Sequence, residues 1–170
     1  MRTSVISVLL TSAALGFAAS SAAQNRNHQQ SPEAHHHRVL ERGEQRMGFN
    51  QQTTTHHFVL LPDGGLVRVQ ANASDDHAGI TQIRKHLREI RGKFSAGDFE
   101  APEFIHAQTP PGIPVMQQQK DAIRYSYRAI RDGAELRISS KQAEAVAAIH
   151  QFLKFQIADH KTGDPLRVRQ

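Results

Sequence analysis

The sequence predicts an α+β domain in which two ββα repeats form a four-stranded antiparallel sheet with two helices on one face. Two observations favour this fold. An Asp-Gly pair stands between apolar runs at Asp63 and again at Asp132, and this dipeptide in such a setting is a strong signal for a β-hairpin. After each hairpin, apolar residues recur at spacings of three and four, which is typical of an amphipathic helix.

Residues 1–23 are predicted to be a signal peptide. Arg2 places a positive charge before the apolar run 5–19, and small residues at 21–23 suit cleavage. We therefore expect a periplasmic or secreted protein. Elsewhere the apolar runs are much shorter than the roughly 20 residues that a membrane span requires, so we expect no stable membrane insertion after cleavage.

Residues 24–52 are predicted to be a flexible, polar, histidine-containing leader, because 24–38 hold almost no side chain that could be buried. The tract of His35, His36 and His37 lies within this leader, and a flexible tract of this kind binds Cu(II), Ni(II) or Zn(II) loosely. Residues 53–170 then form the single α+β domain.

The first hairpin is predicted to have a two-residue loop at Asp63-Gly64, which pairs His56 with Ala71. Because side chains alternate along a strand, one face of this hairpin becomes the core face. The core face carries His56, Phe58, Leu60, Val67, Val69 and Ala71.

A helix and a long crossover follow the first hairpin. The apolar stripe of the helix consists of Ile80, Ile83, Leu87, Ile90 and Phe94. His86 lies at the edge of that stripe. The crossover spans 95–119, contains four prolines and carries His106. A segment of this length is expected to be either a lid or a packed structural loop.

The second hairpin turns at Asp132-Gly133, so that Tyr125 pairs with Ser140 and takes the place that His56 has in the first hairpin. A second helix is predicted over about 141–160, with Ser139 as its N-cap. Its apolar stripe includes His160 near the C-terminal end.

Each repeat places a histidine where the other has an aromatic residue. His56 stands where the second hairpin has Tyr125, and His160 stands where the first helix has Phe94. A buried imidazole must form hydrogen bonds or bind a ligand, because an unsatisfied buried polar group costs about 1–3 kcal/mol. We therefore expect a site between the sheet and the helices.

The chain has eleven histidines and three methionines but no cysteine, which excludes disulfides and thiolate metal sites. Mixed His/Met ligand sets favour copper, with zinc as the next choice. The candidate metal ligands are His56, His57, His106 and His160, with Met47 and Met116 as thioethers and His86 and His150 at the edges of the helix stripes.

These features favour an exported protein that sequesters or carries copper or zinc without turnover. Two alternatives stay open: a haem-binding protein with an axial histidine, and an envelope interaction module in which the histidines are structural. The other face of the first hairpin holds Val59, Leu61 and Leu66, which could mediate a homodimer or receive the crossover.

Catalysis and nucleic-acid binding are not expected. The sequence contains no Gly-x-Ser-x-Gly, no His-Glu-x-x-His and no Gly-rich phosphate loop. The formal net charge of +5 is spread along the chain, without a basic stripe interleaved with aromatic residues.

Several segments resemble a family of small exported bacterial proteins of unknown function. These are MGF at 47–49, THHF at 55–58, FIH at 104–106, PPGIPVM at 110–116 and FLKFQIADHKTGDP at 152–165. The resemblance implies an exported single domain. Some of these proteins bear the name aspartate carbamoyltransferase, but the Ser-Thr-Arg-Thr-Arg loop and the His-Pro-x-Gln motif of that enzyme are missing from this sequence. We therefore do not expect that activity.

Overall fold

The computed structural model describes residues 31–170. The predicted signal peptide and residues 24–30 of the predicted leader lie outside the described residues. The elements in chain order are α1 (Pro32–Met47), β1 (Thr54–Leu61), β2 (Gly64–Ala71), α2 (His77–Ser95), α3 (Glu100–His106), α4 (Ile113–Gln118), β3 (Ile123–Ile130), β4 (Gly133–Ser140) and α5 (Ala143–Asp159), with 3-10 turns at Gln51–Thr53 and Lys120–Ala122.

The predicted α+β fold is confirmed. The strands form one four-stranded antiparallel sheet in the order β1-β2-β4-β3. Each hairpin is followed by a long helix, and both helices, α2 and α5, pack on the same face of the sheet. Side chains such as Phe58, Leu60 and Leu136 point into this layer and are buried. The layer between sheet and helices is therefore the core of the domain.

The first hairpin is shifted by two residues from the predicted register. Its loop is Pro62-Asp63, so His56 pairs with Val69 instead of Ala71. The ring of proline fixes φ at a value that suits the first position of a turn. Gly64 then begins β2 with φ +142°, a value that other residues rarely adopt. Because side chains alternate with a period of two, this shift leaves every side chain on its predicted face.

The second hairpin shows the same two-residue shift, since Tyr125 pairs with Ile138 instead of Ser140. Tyr125 therefore keeps the position that corresponds to His56. The predicted cap of the following helix is wrong: Ser139 does not cap α5, which begins after Gln142. Instead, Ser140 Oγ accepts a hydrogen bond from the backbone N–H of Gln142 at 3.1 Å.

The prediction of a flexible leader is wrong from Ser31 onward, because this region forms helix α1. The Ser31 side chain accepts a hydrogen bond at the helix N-terminus, and Gly48 ends the helix in the left-handed conformation. The buried positions of α1 are Val39, Gly43 and Met47, which recur every fourth residue. Because this stripe is only one residue wide, most residues of the segment are polar, and its overall composition resembles that of a flexible leader.

The crossover 95–119 is a packed segment that contains two short helices, α3 and α4. Phe99, Ile113 and Met116 are buried in the core, with exposed fractions of 1%, 0% and 0%. The crossover thus packs on the helical side of the domain, which fits the second of its two predicted roles, a packed structural loop.

The C-terminal tail lies along the outer edge of β1. Asp164 Oδ2 accepts a hydrogen bond from the backbone N–H of Phe58 at 2.9 Å. Further along, the N–H of Arg169 donates to the carbonyl of Leu60 at 2.8 Å. Across residues 31–170, no helix combines the length and the apolar character that a membrane crossing would need.

Candidate functional site

A small cavity in the layer between sheet and helices brings together five of the eight predicted ligand residues. Its volume is about 70 Å³. β1 contributes His56, α2 His86, the end of α3 His106, the residue after α5 His160 and the end of α1 Met47. The other lining residues are mostly apolar and include Phe58, Val67, Val69, Leu87, Ile90, Phe94, Ile105, Leu136 and Phe152.

The imidazole rings form a row through the site. The rings of His56 and His160 are nearly parallel, at 6° with centroids 5.7 Å apart. His106 meets His160 edge-on at 5.0 Å. On the other side, Phe49 separates His56 from His86, with centroid distances of 6.0 Å and 5.7 Å. In the sequence, Phe49 stands out only as part of the MGF segment at 47–49. Its position between two histidines could not be predicted, because it depends on contacts between residues remote in sequence.

His106 is buried, with 2% exposure, and both of its ring nitrogens have partners. Nδ1 lies 2.5 Å from Asp159 Oδ2, and Nε2 lies 3.0 Å from Gln156 Oε1. The other carboxylate oxygen of Asp159 lies 2.7 Å from His35 Nε2. Asp159 at the end of α5 therefore ties α3 to α1. Neither Asp159 nor Gln156 was predicted from the sequence as a member of the site.

The charge of His106 determines how the Gln156 amide must be oriented. Since Nδ1 donates its proton to Asp159, Nε2 of a neutral ring is an acceptor and requires the amide NH₂ group. A positively charged ring donates from both nitrogens and requires the amide oxygen, the atom that lies 3.0 Å from Nε2. Rotation of the amide by half a turn interconverts the two arrangements. Because burial lowers the pKa of His106, the neutral ring and the amide with its NH₂ group toward Nε2 are favoured.

Burial lowers the pKa of the imidazoles of the site and so favours their neutral form. Desolvation, with a smaller contribution from His57, lowers the pKa of His56 to about 4. Desolvation likewise lowers the pKa of His86 to about 4 and takes the pKa of His160 well below its usual value. The pKa of His106 is also lowered by desolvation, although its hydrogen bond to Asp159 opposes that shift. The physical cause in all four is loss of water around the charged form.

Two polar atoms of the cavity residues, His56 Nε2 and Gln156 Nε2, are buried without a hydrogen-bond partner among the described residues. The hydroxyl of Tyr125, at the matching position in the second hairpin, is buried and unpaired in the same way, and burial raises its pKa. The cavity of about 70 Å³ has room for water at ~30 Å³ a molecule, or for an ion. A water molecule or an ion in the cavity would therefore give His56 Nε2 a partner.

Three predicted ligand residues lie outside this cavity, so their inclusion in one site is wrong. His57 points to the opposite face of the sheet, where Nδ1 lies 3.0 Å from Asp164 Oδ1. His150 Nε2 lies 2.9 Å from the carbonyl oxygen of Leu61. Met116 is fully buried in the core. His57 was predicted as the neighbour of His56, but adjacent residues in a strand point to opposite faces. His150 was predicted from the edge of the helix stripe and Met116 from its closeness in sequence to histidines, and neither signal fixes the direction of a side chain.

The geometry limits which ligand could be held. Within residues 31–170, no three His, Asp or Glu side chains are placed to hold a metal ion. A metal ion in the cavity would therefore be coordinated by fewer than three imidazoles together with the thioether of Met47. A second cavity of about 160 Å³ also borders His56 and His160 and is lined by threonine and glutamine side chains as well, which gives a polar approach to both rings. A porphyrin needs far more room, since pockets for ligands of that class occupy ~300–1,000 Å³.

Comparisons with protein-family models, with curated proteins and with solved structures each gave no match. The resemblance to small exported bacterial proteins therefore stays a prediction. Function has to be inferred from the geometry and chemistry of this site.

Proposed function

We propose that this chain is an exported copper-binding protein that holds Cu(I) in the cavity lined by His56, His160 and Met47 and sequesters or carries the ion without turnover. The observation that carries the proposal is the buried ring nitrogen Nε2 of His56. Its imidazole lines an apolar cavity, and its Nε2 is buried without a partner among the described residues. The lone pair of a neutral imidazole nitrogen is what a metal ion coordinates.

Burial also favours metal binding by removing competition from protons. An imidazole must be deprotonated before it can coordinate a metal. Because the pKa of His56 is about 4, its ring is already neutral at neutral pH. Copper coordination would then satisfy a nitrogen that now contributes only a desolvation penalty.

Cu(I) fits the cavity better than Zn(II). Structural zinc is almost always held by four protein ligands, whereas residues 31–170 offer no set of three His, Asp or Glu side chains for a metal. Cu(I) accepts fewer ligands and prefers soft ones, including thioethers. Met47 supplies a thioether at the cavity wall.

The test is a competition titration of the mature protein with Cu(I) and a colorimetric Cu(I) chelator under anaerobic conditions. One site tighter than the exposed histidines is expected for the wild type. The His56→Phe variant keeps a ring of similar size and removes the nitrogen, so its affinity should fall by more than about tenfold. His77→Ala is the matched control, because His77 is exposed at the start of α2.

Equal affinity of wild type and His56→Phe would contradict the proposal. So would binding that disappears in a His37→Ala variant, since the His37 side chain is 72% exposed on α1 and lies outside the cavity. Either result would favour an envelope interaction module in which the buried histidines are structural. A shifted Soret band on addition of haemin, abolished by His56→Phe, would instead support the haem alternative.

A further inference from the structure

The face of the sheet opposite α2 and α5 is open. It is built from odd positions of β1 and β4 and even positions of β2 and β3. Arg124, Ser126 and Arg128 on this face are exposed. A groove of about 480 Å³ runs past Leu66 and Glu135. Since the crossover packs on the helical side, it does not cover this surface, which we name the open face.

Arginine supplies every permanently charged basic side chain that the strands place on the open face, namely Arg68, Arg124, Arg128 and Arg137. Lysine contributes none, although the chain contains six lysines. The planar guanidinium group forms paired hydrogen bonds with carboxylates, which the ammonium group of lysine cannot match. The composition of the open face therefore differs from that of an ordinary solvated surface.

Glu135 lies between two of these arginines. Its Oε1 is 2.6 Å from Arg68 Nη2, and its Oε2 accepts a hydrogen bond from Arg128. The carboxylate is buried, with 3% exposure, whereas the side chain of Arg128 is 70% exposed. One negative charge thus faces two positive charges. The excess positive charge and the remaining N–H donors of Arg128 are directed to the outside.

Apolar side chains adjoin this basic cluster. Val59, Leu61 and Leu66 are only partly buried on the same face. Beside the edge of β1, Leu166 and Val168 of the C-terminal tail are 57% and 41% exposed. Protein interfaces combine apolar residues with an enrichment in arginine and a depletion of lysine. The open face has that composition.

We propose that the open face docks an acidic segment of a partner protein that presents carboxylates and aliphatic side chains on the same side. The carboxylates would pair with Arg124 and Arg128, and the aliphatic side chains would contact Val59 and Leu66. A second copy of the same face is a poorer occupant, because it would bring arginines against arginines. The charges therefore disfavour the homodimer predicted through Val59, Leu61 and Leu66. This proposal does not depend on the copper site.

Fluorescence anisotropy of the full mature chain tests the proposal with a labelled synthetic peptide that carries glutamate and leucine in turn at every second position, with threonine between them. The same peptide with lysine for glutamate, and one with serine for leucine, separate the charge from the apolar contribution. The double variant Arg124→Gln, Arg128→Gln should weaken binding of the acidic peptide by about tenfold or more. The control is Lys85→Gln, Lys154→Gln, which removes the same charge from exposed positions of α2 and α5.

The expected result is binding of the glutamate–leucine peptide that falls in the arginine variant and not in the lysine variant. Weaker binding of the serine peptide would confirm that the apolar residues take part. No binding, or equal loss in both variants, would overturn the proposal. It would also be overturned if vesicles containing phosphatidylglycerol bound through the same arginines while the peptide did not, since the partner would then be a lipid surface.

Discussion

Asp159 Oδ2 lies 2.5 Å from Nδ1 of His106, and the same carboxylate reaches His35 Nε2 at 2.7 Å. One side chain at the end of α5 thereby holds a cavity residue and the outermost helix, α1. The contact adds to the burial of Val39, Gly43 and Met47 in holding α1 on the domain.

Replacement of Asp159 by alanine should loosen α1 and lower stability. Nδ1 of His106 would lose its acceptor in a buried environment, which costs about 1–3 kcal/mol. The measurements are denaturant unfolding and amide hydrogen exchange over residues 32–47, where exchange should become faster. Glu41→Ala is the control, because it removes only the exposed partner of His37 on α1. Unchanged exchange in the Asp159 variant would refute a tethering role.

Replacement of His56 by phenylalanine should leave the metal-free protein as stable as the wild type, or raise its free energy of unfolding by about 1 kcal/mol. The substitution removes a buried nitrogen without a partner and keeps the aromatic packing against His160. His106→Phe should have the opposite effect, since Asp159 would lose a bonded partner. Thermal or urea unfolding of both variants at neutral pH gives the comparison. A large loss of stability in His56→Phe would indicate an unrecognised partner.

Stability should fall on acidification between about pH 6.5 and pH 4. The pKa of His56 is about 4 in the folded protein, chiefly through desolvation and secondarily through His57, against 6.5 for the exposed ring. In this range the unfolded chain binds a proton that the folded chain does not, so the free energy of unfolding decreases as pH decreases. His56 alone should contribute on the order of 3 kcal/mol by pH 4. His86, whose pKa is also about 4, adds to the effect.

The measurement is urea unfolding at several pH values across that range. His56→Phe should show a shallower dependence than the wild type, and His77→Ala, which alters an exposed histidine, should not. An identical pH dependence in wild type and His56→Phe would mean that the His56 ring is accessible to protons in the folded state.

Replacement of Gly65 by alanine should destabilise the domain by about 1–3 kcal/mol through overpacking. A Cβ at this position would overlap the side chain of Leu153 on α5 and approach the carbonyl oxygen of Val59. Gly92→Ala is the matched control, because a methyl group there would meet no neighbouring atom and the residue is exposed within α2. That variant should gain about 0.5–1 kcal/mol from helix propensity. Chemical denaturation of the two variants distinguishes a packing role from a general effect of alanine.

The architecture was predictable because it depends on local periodicity. The Asp-Gly turns and the stripes of α2 and α5 specify two hairpins and two helices. The register was wrong by two residues, since Asp-Gly marks a turn without fixing which two residues form its loop. Helix α1 was not predicted, because its burial depends on contacts with α3 and α5 that are remote in sequence, such as the one between His35 and Asp159.

The candidate site was partly predictable for a different reason. His56 and His160 could be found because each replaces an aromatic residue of the other repeat. Asp159 and Gln156 could not, since a carboxylate or an amide in a helix gives no periodic signal of its partner. His57 was included only because it follows His56, although the pleat of the strand directs it to the opposite face.

The contacts along the two outer strands have a consequence for the behaviour of the chain at high concentration. The tail bonds to β1 through Asp164 and Arg169, and carbonyls of β3 accept hydrogen bonds from Arg84 and Arg91 of α2. Unpaired strand edges are templates for strand addition from other molecules. Strand addition at the β1 border therefore requires the tail to detach first, so loosening of the tail should favour intermolecular β-pairing there.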